Sequence, residues 1–327
     1  MKILGIISKN LILMIRKNKK IFVAGHMGLV GSAIVRSLLK KNYKNILTVS
    51  KSKLDLTNQK KVEKFFLDKR PDYVIIAAAK VGGILSNQNY KAEYIYKNLS
   101  IQNNLIHSSY LSKVKKLIFL GSSCVYPKNC KQPIKEEYLL DGKLESTNDA
   151  YAIAKIAGVK MCQSYNDQYK TNFVSLMPTN TFGPNDNYNS KDSHFLPALI
   201  KKTHKIKKMK KPRLLVWGNG LAKRELIYVD DIADACVFFL NTNTKHSLIN
   251  IGTGKDHTIK FYARLLNQII CPNKNIKLVY DKKKPNGTPR KVLDVSLAKS
   301  YGWKARYNIK DALKLTYEEF KNKKKIR

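Results

Sequence analysis

Gly25-His26-Met27-Gly28-Leu29-Val30-Gly31 stands between an apolar run, Lys19-Lys-Ile-Phe-Val-Ala24, and Ser32-Ala-Ile-Val-Arg-Ser-Leu-Leu39, whose apolar residues recur at helical spacing. The order is strand, tight turn, helix. Glycines at such a turn let the backbone approach a pyrophosphate, and the unpaired amides opening the helix present partial positive charge to it. The glycines recur at every third position, a spacing that differs from G-x-G-x-x-G. A ligand-free βα turn would show the same local pattern, so the rest of the chain has to decide.

Outward from the loop, residues 45–50 read as a second strand, ending where NAD-specific proteins place an acidic residue for the ribose hydroxyls. This chain has Lys51 and Lys53 there, and cations suit a 2′-phosphate, so NADP is expected over NAD. Asp55 is a candidate contact at the adenine end. Strand-like residues 73–79, a helix-like stretch at 89–112 and strand-like residues 116–121 continue the alternation, which predicts an α/β fold: a Rossmann-type doubly wound parallel sheet with a smaller mixed α/β substrate domain. The expected division is an N-terminal extension at 1–18, a nucleotide-binding domain at 19–180 and a substrate domain at 181–327, with chain crossings between the last two.

The 327 residues are 43% hydrophobic, enough for an ordinary core, and carry a formal net charge of +39. Such a charge suits nucleic acid or an anionic surface, but lysine far outnumbers arginine and is scattered. The densest run, Lys201-Lys-Thr-His-Lys-Ile-Lys-Lys-Met-Lys-Lys211, reads as a solvated helix and loop, so neither nucleic acid nor a membrane is an expected partner. The apolar clusters of the first 18 residues are too short and broken for a span and lack a signal-peptide cleavage site. Five cysteines without a C-x-x-C pair argue against a disulfide framework or zinc site; no metal is expected, and a reducing cytosol fits.

Chemistry concentrates in three segments. Leu120-Gly-Ser-Ser-Cys-Val-Tyr-Pro127 follows a buried-strand pattern, so its hydroxyls should stand at the carboxyl edge of the sheet, where open α/β folds bind ligands. Tyr151-Ala-Ile-Ala-Lys155 places a phenol and an ammonium one helical turn apart, and the ammonium is expected to lower the phenol's pKa. Tyr280 with Lys284 and Tyr317 with Lys321 repeat that spacing, but only the Tyr151 pair follows the Ser-Ser segment. Met177-Pro-Thr-Asn-Thr-Phe-Gly-Pro184, with Ser193-His194 beyond it, reads as a turn-rich connection able to cover a nicotinamide.

These residues resemble the extended short-chain dehydrogenase/reductases, and among them the GDP-L-fucose synthase family. The blocks that carry the closer likeness are Ala77-Ala-Ala-Lys-Val-Gly-Gly83, Gly121-Ser-Ser-Cys-Val-Tyr-Pro127, Tyr151-Ala-Ile-Ala-Lys-Ile-Ala-Gly158, Met177-Pro-Thr-Asn180 and Gly287-Thr-Pro-Arg-Lys291, in order along the chain from about Lys20. The resemblance implies a bifunctional enzyme that epimerises GDP-4-dehydro-6-deoxy-D-mannose at sugar carbons 3 and 5, then reduces carbon 4 with NADPH to give GDP-L-fucose. It implies Cys124 as base, His194 as acid, Ser122 and Tyr151 at the ketone oxygen, and Lys155 on the nicotinamide ribose. The dinucleotide would lie against residues 25–31, that is Gly25, His26, Met27, Gly28, Leu29, Val30 and Gly31. It would also touch Lys51, Lys53, Asp55, Leu56, Leu120, Gly121, Ser122, Ser123, Lys155, Pro178, Thr179, Asn180, Thr181 and His194.

The GDP-sugar would meet Lys202, Trp217, Arg224 and Asn286, with Arg224 the bidentate partner of the diphosphate. A homodimer is also implied. The chain departs from the family at Met27, Lys51 and Lys202, where arginine is common, and at Asn286, where aspartate is. Lysine lacks the guanidinium fork, so the departures bear on affinity and cofactor choice more than on reaction type. Two alternatives remain: another nucleotide-sugar epimerase or dehydratase of the same fold, disfavoured because Ser123-Cys124 offers no acidic residue for eliminating water, and a non-catalytic dinucleotide- or nucleic-acid-binding protein.

Overall fold

The computed structural model describes residues 15–189, 193–284 and 287–325. β1 (Ile21–Ala24), α1 (Leu29–Lys40), β2 (Ile46–Leu47), α2 (Gln59–Lys69), β3 (Tyr73–Ile76), α3 (Ile84–Asn89), α4 (Lys91–Leu111), β4 (Lys116–Leu120), α5 (Asp149–Tyr169) and β5 (Phe173–Pro178) alternate through the first half. β1, β4 beyond Lys116 and most of β5 are apolar without alternation and buried, as strands covered on both faces must be. They join a parallel six-stranded sheet of order β2-β1-β3-β4-β5-β9, where β9 is Leu248–Ile251. The order of strands reverses between β1 and β3. A crevice therefore opens at their carboxyl ends, and the glycine loop lies in it.

β6 (Asn180–Phe182), α6 (Phe195–Ile206), β7 (Arg213–Trp217), β8 (Lys223–Tyr228), α7 (Val229–Leu240), then β9, β10 (Asp256–Thr258), α8 (Ile259–Ile270), β11 (Lys277–Asp281), β12 (Arg290–Lys291), α9 (Ser296–Ser300) and α10 (Ile309–Lys325) complete the chain. β8 is the hub of the smaller assembly. Its first half pairs with β10 and β12 and its second half with β6, while α6, α8 and α10 close a core with β7 over Leu214, Val216, Tyr262 and Leu313. The chain crosses back: α7, β9 and Trp303 complete the core formed with α1. α2, α4 and α5 cover the opposite face around Phe66, Leu105 and Phe119.

Three expectations change. The second strand pairs only at Ile21↔Ile46 and Phe22↔Leu47, because it is an edge strand and β1 bends into the glycine loop shortly beyond. Residues 177–182 are mostly strand, since β6 takes its hydrogen bonds from β8; the turn begins at Gly183, whose φ of +150° and close approach to Val229 exclude a side chain. Residues 15–18 are not a detached extension: Ile15 is 6% exposed and its N–H donates to Asn241. The remainder of that extension, 1–14, lies outside the described residues. Among the described residues no helix is long and apolar enough to cross a membrane.

Candidate active site

The glycine loop has the shape a dinucleotide needs. Gly25 has φ +86°, and a Cβ on Gly31 would lie 2.1 Å from Gly25 O, so α1 starts directly on the loop backbone. Gly28 is the N-cap, no acidic residue occupies the first turn, and the amides of Leu29, Val30 and Gly31 point from the helix end. His26 and the exposed Met27 rim the loop. Lys51 and Lys53 are exposed just past β2. Asp55 spends one carboxylate oxygen on the N–H and hydroxyl of Thr57, which with the Asn58 cap turns the chain into α2, and these bonds hold its pKa low. Leu56 is half-buried beside it.

The Ser-Ser segment sits at the carboxyl end of β4. Gly121 leaves the space that the Met177 thioether fills, its terminal methyl 2.0 Å from where a Cβ would stand. Ser122 Oγ accepts the Cys124 N–H at 3.2 Å, tightening a single turn of 3₁₀ helix over Ser123–Val125. α5 lies flat against β4 because Gly158 leaves no side chain to meet the Phe119 ring, 2.5 Å from a built Cβ. That approach brings Lys155 under Leu120, whose carbonyl accepts its Nζ at 2.8 Å, and Tyr151 to Ser122, with which it hydrogen-bonds. Tyr94 packs edge-on to Tyr151 at 6.3 Å; its hydroxyl fills the space over Gly82, which explains the first of the two glycines after Val81.

The expected lowering of the Tyr151 pKa by Lys155 does not appear. Burial dominates, raising Tyr151 well above the phenol range, with Cys124 adding to the rise, while burial pushes Lys155 down to about 7. Lys155 is turned to the Leu120 carbonyl. Tyr151 is therefore protonated, the form from which a proton can be given to a carbonyl oxygen.

Pro178 ends β5, Thr179 donates its N–H to Ile251 and its hydroxyl to Glu225 O, Asn180 Nδ2 reaches the same carbonyl at 3.4 Å, and Thr181 caps back on Thr179. The segment is a bridge from the large sheet to β8. His194 is the N-cap of α6; it is open to water yet ringed by protein, and enclosure with the Lys291 charge lowers its pKa. Cys124 is half-buried, and Lys291 Nζ lies 3.3 Å from its Sγ. Burial raises that thiol, but Lys291, Ser122 and Arg224 together outweigh it and leave the pKa below the usual value.

On the sugar-nucleotide side, Arg224 Nη1 donates to the carbonyls of Lys223 and Thr288, so part of its fork already braces residues 287–291. Trp217 is 38% exposed between the ammonium groups of Lys202, 5.5 Å away, and Lys284, 5.4 Å away, a face rather than a core position. Asn286 lies outside the described residues. The structure therefore gathers Ser122, Cys124, Tyr151, Lys155, Arg224 and, through Lys291, His194. Tyr280 and Tyr317 instead pack with the core of the smaller assembly. A shallow cavity of about 450 Å³ between α8 and β11, lined by Lys260, Arg264 and Cys271, carries none of the candidates.

Sequence reasoning missed Lys291 as a site residue, although it closes the Gly287–Lys291 block. It also missed Glu225, whose buried carboxylate accepts the N–H groups of Thr253, Gly254 and Leu293, tying β8, the end of β9 and the strand of Lys291 together. The only signal for Glu225 was an acidic residue directly before the apolar run Leu226-Ile-Tyr228.

The profile of the NAD dependent epimerase/dehydratase family matches residues 21–252. The chain belongs to that family. It is 50% identical over 302 residues to GDP-L-fucose synthase 1 of Arabidopsis thaliana, covering 92% of this chain and 93% of the relative, and so falls among the GDP-L-fucose synthases. A solved GDP-6-OMe-4-keto-L-xylo-heptose reductase from C. jejuni is 36% identical with a TM-score of 0.89, covering 94% of this chain and 99% of that one. A GDP-L-fucose synthetase from Naegleria fowleri bound to NADP is 27% identical with a TM-score of 0.88, covering 97% and 96%.

Proposed function

We propose that this protein converts GDP-4-dehydro-6-deoxy-D-mannose to GDP-L-fucose by 3,5-epimerisation followed by NADPH-dependent 4-reduction in one cleft. The observation that carries the reading is that a thiol with lowered pKa, Cys124, shares Ser122 with the tyrosine hydroxyl of a reductase, so a carbon base and an oxygen donor face one substrate. Protons beside a ketone are acidic because the carbanion delocalises as an enolate. Cys124 removes the proton at carbons 3 and 5 in turn, Ser122 and Tyr151 hold the enolate oxygen, and His194 returns a proton on the other face. Enclosure keeps His194 uncharged in the free protein; the anionic diphosphate and the developing enolate favour its protonated form.

The glycine loop and Lys51 hold NADPH, which supplies the hydride when bound. Tyr151 then protonates the carbon-4 oxygen, and Lys155 exchanges the Leu120 carbonyl for the ribose hydroxyls. Arg224, Lys202, Trp217 and Asn286 bind the GDP moiety. In this reading residues 19–180 serve the dinucleotide and 181–327 the sugar nucleotide, apart from the crossings. A homodimer would form on α4 and α5, where Tyr96, Leu111, Ile153 and Tyr169 are exposed, and light scattering of the purified protein would give its mass. The compartment is a reducing one such as the cytosol, since Cys124 has to stay a free thiol.

The test is incubation with GDP-4-dehydro-6-deoxy-D-mannose and NADPH: one NADPH consumed per GDP-L-fucose formed supports the reading, and no oxidation with this substrate refutes it. The C. jejuni likeness favours one second reading, a 4-reductase that does not epimerise; its product would keep the configuration of carbons 3 and 5.

A further inference from the structure

Lys291 is a site residue to which the reaction described above gives no part. Its backbone is fixed on both sides. Lys291 pairs in register with Arg224 of β8, Ile134 exchanges hydrogen bonds with Val292 and Asp294, Gln132 accepts the Val292 N–H, and the buried Glu225 accepts that of Leu293 at 2.8 Å. Its neighbour Arg290 points the other way, to Asp256, in a two-pronged ion pair. Lys291 by contrast forms no carboxylate ion pair among the described residues. Its ammonium, half-buried, is aimed at Cys124 Sγ from 3.3 Å.

We propose, resting on the epimerase reading above, that Lys291 is a positioning residue that holds Cys124 as the thiolate, the form in which sulfur can take a proton from carbon. The geometry fits the demand. A thiol is a poor base, and a partly enclosed cysteine without a cation would stay protonated; an ammonium at hydrogen-bond distance reverses that preference. The other groups facing Cys124 are Ser122 on its own turn, Arg224 from β8 and Tyr151 from α5, with His194 at the head of α6 meeting the same ammonium. Arg224 is already shared with the Lys223 and Thr288 carbonyls, so Lys291 carries the larger share, and burial opposes it.

The proton balance closes with water: when Cys124 S⁻ becomes S–H by taking the carbon proton, the C–H electron pair is delocalised to the ketone oxygen as enolate, His194-H⁺ supplies the proton to the opposite face, and before the second carbon reacts Cys124 returns its proton to water and neutral His194 takes one up. Lys291 keeps its own proton throughout. Its effect is to set the pH above which the base is available.

The test is a titration of thiolate ultraviolet absorbance, wild type minus Cys124→Ser, repeated in Lys291→Met and Lys291→Arg backgrounds, with NADPH-induced thermal stabilisation as the folding control. The expected result is a Cys124 midpoint below that of an ordinary thiol in wild type and Lys291→Arg, and at or above about 8.5 in Lys291→Met. Deuterium exchange from water into GDP-4-dehydro-6-deoxy-D-mannose should fall at least about tenfold at neutral pH in Lys291→Met and recover as pH rises through the new midpoint. Coincident midpoints in wild type and Lys291→Met overturn the proposal, as would an Lys291→Met loss of exchange that no rise in pH restores. If Lys291→Met does not bind NADPH, Lys291→Gln takes its place in the same titration. The titration uses no substrate, so a shifted midpoint with no exchange by the wild type would uphold the Lys291–Cys124 pair while refuting the proposed activity.

Discussion

Gly31→Ala separates two opposed effects at the start of α1. Alanine inside a helix is favoured over glycine by about 1 kcal/mol, and Gly31 is helical, so propensity alone predicts stabilisation. The structure predicts the reverse. The added Cβ would stand 2.1 Å from Gly25 O and 2.6 Å from Gly25 C, against the 3.0 Å below which real contacts are not found, so helix and loop must separate by at least 3.0 − 2.1 = 0.9 Å. Both atoms belong to backbone, and Gly25 is itself pressed on Ala77 and Ala78, leaving no flexible side chain to yield. Overpacking of this kind costs roughly 1–3 kcal/mol, which cancels or exceeds the propensity gain. The larger effect falls on the ligand, because a displacement near 1 Å in a preorganised site costs on the order of 100-fold. Nicotinamide fluorescence titration should show NADPH affinity weakened by about that factor while the apoprotein melts within a few degrees of wild type. A Gly31→Ala protein with higher stability and unchanged NADPH affinity would refute the close-approach argument.

Three further outcomes follow from the site and core. Lys116 is 3% exposed and its ammonium donates to the Thr242 carbonyl, but burial brings its pKa down to about 8, below its unfolded value, so charging it costs stability fully below pH 8 and the cost fades as pH rises through the unfolded pKa near 10.4. Lys116→Met should therefore gain up to roughly 3 kcal/mol at pH 7, less about 1 kcal/mol for the lost hydrogen bond, and the gain should shrink toward pH 10.5 in urea unfolding; a pH-independent difference would contradict the cause. Cys124→Ser should reduce deuterium wash-in at carbons 3 and 5 by about 10²–10⁴-fold with NADPH binding intact, and wash-in at the wild-type rate would remove Cys124 from the mechanism. Tyr151→Phe should slow NADPH oxidation by a similar factor of about 10²–10⁴ without weakening NADPH binding.

The parts of this molecule readable in its sequence are those whose signal is local. The β1 strand, glycine loop and α1 announce themselves within about twenty residues because the period of apolar residues switches across three glycines. Ser122 and Tyr151 were legible for the same reason, each marked by the end of a strand or the face of a helix. Lys291 was not, since its contact with Cys124 spans 167 residues and depends on β12 lying beside β8. Glu225 was hidden likewise, because three amides from distant segments make its burial tolerable. The direction of the Tyr151 pKa shift is not contained in the spacing: one helical turn fixes the side of the helix, whereas enclosure raises Tyr151 and the Leu120 carbonyl takes the Lys155 ammonium. The short β2 and the early β6 reflect pairing partners, which periodicity does not contain.

The most direct measurement is a single incubation of the protein with GDP-4-dehydro-6-deoxy-D-mannose and NADPH in deuterated water, with the product resolved by proton NMR. The account predicts GDP-L-fucose carrying solvent deuterium at both carbon 3 and carbon 5 and a hydride from NADPH at carbon 4. A reduced sugar without deuterium at either carbon would contradict the epimerase half and leave a reductase alone.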